Sequence, residues 1–169
     1  MYILLQFVNK RSVFHLCPSI PVAIKHIRVN MISAITGRGK LRFHFYRGNM
    51  TQEKFQNFLM HIMKRTERKV FAVSDNLTAH IGLDLKEWAG KNAGKIELFY
   101  LPYYSPHLNL AEYLNNNLKY EIVRKGYAKT KKEIENNAMN IMRSIGAKKT
   151  RVASFFDNDD VKYTKLADN

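Results

Sequence analysis

The chain has 169 residues, enough for one domain with a buried core, and its 46% hydrophobic and 12% aromatic content excludes wholesale disorder. Lys and Arg number 28 against 14 Asp and Glu, a formal net charge of +14. Such an excess favours a polyanionic partner, with a solvated basic surface as the plain alternative. Cys17 is the only cysteine, which excludes an intramolecular disulfide and a thiolate zinc site and fits a reducing, cytosolic compartment.

The first 52 residues hold eight Lys or Arg and no acid. Met1 to Phe7 is apolar, but Lys10 and Arg11 follow too soon for a membrane span and no small-residue cleavage site follows, so a buried strand is predicted. Val29–Ile35 and Leu41–Tyr46 flank Thr36-Gly37-Arg38-Gly39-Lys40 and read as a β-hairpin whose turn admits positive φ at its glycines. No helix follows this Gly-x-Gly, which argues against a phosphate loop. A helix is predicted over 51–66, capped by Thr51, with Phe55, Phe58, Leu59, Ile62 and Met63 as its core stripe. Lys69–Ser74 is a short apolar strand ending on Asp75-Asn76.

A second helix follows, capped by Asn76 or Thr78, with Ile81, Leu85 and Trp88 inward and Gly90 and Gly94 beyond its end. Ile96–Leu101 is the next strand. Helices over 109–124 and 131–145 come after the Pro102–Pro106 loop, the latter with Ile134, Ala138, Ile141 and Ile145 as its stripe. The tail from Arg151 to Asn169 reads as a packed extension with a frayed end. An antiparallel start followed by alternating strand and helix predicts an α/β sheet of mixed direction flanked by helices. Ligand chemistry in open α/β sheets sits at the carboxyl ends of the strands, where Asp75 lies.

Asp75 and, one turn into the helix after the Pro-rich loop, Glu112 are hard oxygen donors that could share a divalent cation at the end of the sheet. Taken singly, a carboxylate after a strand more often caps the next helix, and a helical Glu is more often a solvated charge. Their surroundings are more specific. Asp75-Asn76-x-x-x-His80, Leu101-Pro102-x-Tyr104-Ser105-Pro106-x-Leu108-Asn109, Glu112, the hairpin from Arg28-Val29-Asn30 through Gly48, and Leu118-Lys119 together resemble the DDE transposase superfamily, in its mariner-like and bacterial insertion-sequence branch. The resemblance runs from about Pro21 to Tyr163.

It implies a ribonuclease-H-like catalytic domain that cuts and rejoins DNA with Mg²⁺ or Mn²⁺, held by Asp75 and Glu112 as the second and third catalytic acids. Asn76 would support the metal shell. His80 would do the same or approach a DNA phosphate, or else simply bond a backbone group near a helix start. Tyr104, Ser105 and Asn109 would fix the loop that aims Glu112. Lys119, Arg124 and Lys125 are candidates for phosphate contact, with a solvated helix face as the alternative. DNA is the implied partner, with no membrane, a possible homodimer, and a bacterial cytoplasmic location that becomes nucleoid-associated on DNA.

The departures are as specific as the matches. The family carries its first acid on the opening strand, whereas Ile3-Leu4-Leu5 offers none and Gln6 and Asn9 are neutral oxygen donors. The expectation is therefore a single catalytic domain over 1–169, truncated at its N-terminus, without a helix-turn-helix module, and with its first strand degenerate or missing. Two readings follow: an endonuclease impaired by an incomplete triad, or an inactive remnant that binds nucleic acid non-specifically through its basic surface. A basic α/β interaction module with incidental carboxylates ranks behind both, because it leaves the match from Pro102 to Glu112 to coincidence.

Overall fold

The computed structural model describes residues 2–7, 29–74, 82–103, 108–125 and 130–157, with the main chain alone for 2–7, 111 and 112. Short runs rich in β-branched and aromatic residues become strands β1 (Tyr2–Phe7), β2 (Asn30–Ile35), β3 (Leu41–Tyr46), β4 (Val70–Ser74) and β5 (Ile96–Tyr100). They form one sheet in the order β3-β2-β1-β4-β5, antiparallel from β3 to β1 and parallel from β1 to β5. This is the mixed ribonuclease-H-like sheet expected. The opening strand is neither missing nor marginal in position: it is the central one, degenerate only in carrying no acid.

Strand periodicity sends alternate side chains to opposite faces. Ile32 and Ala34 pack with Phe55, Phe58, Leu59 and Ile62 of α1 (Gln52–Met63) and Leu85 of α2 (Leu83–Lys91). Met31 and Ile35 turn the other way, onto Leu110, Leu114 and Leu118 of α3 (Leu110–Arg124) and Ile141, Met142 and Ile145 of α4 (Lys131–Ala147). Each apolar helix stripe covers one face, which gives three layers. Thr51 and Thr130 cap α1 and α4 by accepting from the Lys54 and Glu133 amides at 3.3 and 3.1 Å. Residues 149–157 form α5 (Lys149–Ser154) and a 3₁₀ turn whose Val152 and Phe156 are buried, so this part of the tail is core.

Two local expectations need correction. The described α2 has Gly82 at its N-cap, with no side-chain cap, and Gly90 lies inside it rather than beyond its end; Asn76, Thr78 and Ile81 fall outside the described residues. In the hairpin turn, positive φ falls on Gly39 (φ 76°) and not on Gly37. The Gly39 amide donates to the Thr36 carbonyl at 2.9 Å, and the Lys40 amide donates to Thr36 Oγ1 at 3.1 Å.

Candidate active site

The sheet register sets out what surrounds the end of β4. Ser74, the last residue of β4, lies beside Leu5 of β1, which faces Ala34 of β2, which faces Arg42 of β3. The next residue along β1 is Gln6, opposite Ser33. Ser33 is fully buried, and its hydroxyl has no hydrogen-bond partner among the described residues. A buried hydroxyl without a partner among the described residues is costly unless something polar engages it. On the far side of β4, the Leu101 amide donates to the Ser74 carbonyl at 2.8 Å, so the Pro102 loop leaves from this same end.

That loop leads into α3, which packs across β1 and β2 and is anchored by Leu110, Leu114 and Leu118. Glu112 sits in its first turn, of which the main chain is described. Asp75, Asn76, His80, Tyr104 and Ser105 lie outside the described residues. Asn109 is buried at the entry to α3, a place that fits holding the loop rather than meeting solvent.

The basic residues further along α3 differ from one another. Lys125 is exposed and Lys119 half-buried. Arg124 is engaged: its Nε and Nη2 donate to Glu121 Oε2 at 3.1 and 2.9 Å. Arg151 of α5 reaches the same carboxylate, 3.4 Å from Oε1, and donates to Asn117 Oδ1 at 2.8 Å. Neither Glu121 nor Arg151 stands out in the sequence as part of a site; the i, i+3 spacing of Glu121 and Arg124 is the one signal available.

The hydrogen bond from Arg124 is the chief cause that holds the Glu121 carboxyl below its ordinary range, with Arg151 adding to it. A carboxylate depressed in the folded state stabilises the fold above its unfolded pKa, and that contribution is lost as pH falls through the lowered one. Glu121→Gln is therefore expected to flatten the acid limb of melting temperature against pH while leaving neutral-pH folding intact. Circular-dichroism melts across the acid range check this, and an unchanged acid limb would remove the ion pair from the account.

Among the described residues no group of three or more His, Cys, Asp or Glu comes together. Asp75 follows Ser74 in sequence and Glu112 lies in the first turn of α3, and both are carboxylate residues. In type, carboxylate oxygens suit a hard divalent cation.

Residues 17–135 match the family model described as DDE superfamily endonuclease. No curated protein matches the chain. Among solved structures, the catalytic core domain of BIV integrase is similar with a TM-score of 0.54 and 12% identity, over 85% of this chain and 81% of that one. A chain of the simian T-cell lymphotropic virus intasome, in complex with PP2A regulatory subunit B56 gamma, is similar with a TM-score of 0.58 and 12% identity, over 83% of this chain. The present chain spans 47% of that intasome chain, about half its length. Identity this low speaks to the fold alone, but the family match covers well over half the sequence and includes both Asp75 and Glu112: the chain belongs to the DDE superfamily of endonucleases.

Proposed function

We propose that this chain is a DDE-type transposase catalytic domain of the mariner-like or insertion-sequence branch. Its parent chemistry is DNA strand cleavage and transfer, and that chemistry is impaired here. The carrying observation is the central strand: β1 runs beside the end of β4 and reads Tyr-Ile-Leu-Leu-Gln-Phe, without a carboxylate. Asp75 and Glu112 would hold Mg²⁺ or Mn²⁺, which supplies Lewis-acid stabilisation of charge on phosphate oxygens. Gln6 offers an amide oxygen in the row where a third acid would offset the cation's charge, so the ion is held more weakly and stabilises the transition state less. Asn109 and the anchored Leu110 fix the start of α3 and hence the main chain of Glu112. The same missing charge favours a second reading, an inactive remnant that keeps only non-specific nucleic-acid binding through the +14 surface. No helix among the described residues is long and apolar enough to cross a membrane.

Two measurements test the first reading against the second. Saturating Mn²⁺ is expected to raise the melting temperature of the full chain by several degrees, an effect lost in Asp75→Ala. Slow, Mn²⁺-dependent nicking of supercoiled plasmid is expected to disappear in Glu112→Gln. Nicking that survives this substitution would assign the cleavage elsewhere. Absence of any Mn²⁺ shift would leave only the binding remnant.

A further inference from the structure

β3 is an edge strand, and its alternation has two different consequences. Leu41, Phe43 and Phe45 face the core shared with α3 and α4, whereas Arg42, His44 and Tyr46 face the α1 side. There α1 stands back from the edge, and Lys54, Asn57 and His61, at helical spacing, form the opposite wall. Between strand and helix lies a cleft of about 410 Å³. No Asp or Glu is among its described lining residues.

Three observations say what the cleft would accept. The His61 imidazole is held below its ordinary pKa first by partial desolvation and then by Arg65, His44, Arg42 and Lys64; every charged neighbour acting on it is cationic. The half-buried Tyr46 lines the cleft wall, its hydroxyl enclosed and without a hydrogen-bond partner among the described residues. Beside it, Lys54 Nζ donates to the Arg47 and Asn49 carbonyls at 2.8 Å each and stands 5.8 Å from the centre of the Tyr46 ring, so a fixed cation adjoins an aromatic face.

The register adds direction. Arg42 shares the row of Ser74, three interstrand spacings or roughly 14 Å away. β3 runs parallel to β4, so His44 and Tyr46 lie further toward the end of the sheet where β4 gives way to Asp75.

We infer that this cleft guides a single nucleic-acid strand past the edge of the sheet, with its phosphates paired with Arg42 and accepting hydrogen bonds from the His44 and His61 imidazoles, and a base against Tyr46. Cations interleaved with an aromatic ring, in an acid-free groove open along a strand, are the features that hold single-stranded nucleic acid without reading its sequence. That the strand is DNA rests on the proposed function; the cleft's anion preference does not. It is distinct from the carboxylate site, so binding is read in EDTA, where the failure of metal chemistry cannot mimic the failure of the cleft.

A fluorescein-labelled DNA single strand of about 20 nucleotides is titrated with the full chain from low to moderate salt, followed by anisotropy. The Arg42→Gln/His61→Gln double variant, at exposed positions, is expected to bind about tenfold more weakly and to reduce the salt slope by about one. Tyr46→Phe keeps the ring and removes a hydroxyl with no partner among the described residues, so it is expected to bind as the parent chain does and melt no lower, whereas Tyr46→Leu, which removes the ring, is expected to bind severalfold more weakly. Unchanged affinity and salt slope in the double variant would overturn the proposal. So would displacement of the strand by inorganic phosphate or a mononucleotide at equal phosphate concentration, which would mark an isolated anion pocket.

Discussion

Gly39→Ala is expected to lower the melting temperature by roughly 10 °C, more than any exposed substitution in the hairpin. Two costs combine. Gly39 sits at φ 76°, and a non-glycine residue in the left-handed region costs about 1–2 kcal/mol. A Cβ built there would also land on the main chain of Lys149, its carbonyl oxygen nearest, so α5 must move away from the turn. Displacing packed backbone adds about 1–3 kcal/mol. Gly39→Asn separates the two, because asparagine tolerates the left-handed conformation but still carries a Cβ. If the contact with Lys149 dominates, Asn will recover little of the loss in a thermal melt; near-complete recovery would show that backbone strain was the whole effect.

Gln6→Asp is expected to raise Mn²⁺-dependent plasmid nicking by about 10²-fold, the scale on which one preorganised electrostatic group acts. The register selects Gln6 rather than Asn9, since Gln6 is the residue of β1 that follows the row of Ser74. An aspartate there would place a carboxylate on the central strand beside Ser33, which is buried, so without metal the variant should melt lower than the parent chain. Added Mn²⁺ should return that loss and more, because the charge then has a partner. Asn9→Asp is the control and should do neither. A Gln6→Asp variant that neither nicks faster nor gains a larger Mn²⁺ shift would mean the central strand does not supply the missing ligand.

What could be read from the sequence follows the range of the interactions involved. The α1 stripe of Phe55, Phe58, Leu59 and Ile62, the cap at Thr51 and the presence of the hairpin all rest on contacts within a few residues, and all formed as the pattern implies. The central place of β1 depends on pairing with strands far along the chain, so its composition suggested a buried strand without saying between which neighbours. The i, i+3 spacing made the Glu121–Arg124 pair legible, but not that Arg151, 30 residues beyond Glu121, shares the same carboxylate. The cleft was hidden for a related reason. The alternation in Leu-Arg-Phe-His-Phe-Tyr sorts side chains onto two faces, but which face a helix leaves open is settled by packing. Gly39 announced a turn, yet its approach to Lys149 joins two ends of the fold that no local pattern connects.

The position of β1 also bears on how the molecule holds together in solution. It is the seam that joins the β2–β3 hairpin on one side to the parallel pair β4 and β5 on the other. Withdraw that one ribbon and the sheet becomes two fragments, each with a newly bare inner border of amide and carbonyl groups ready to zip onto another molecule. Any loss of β1 from the sheet should therefore carry self-association with it.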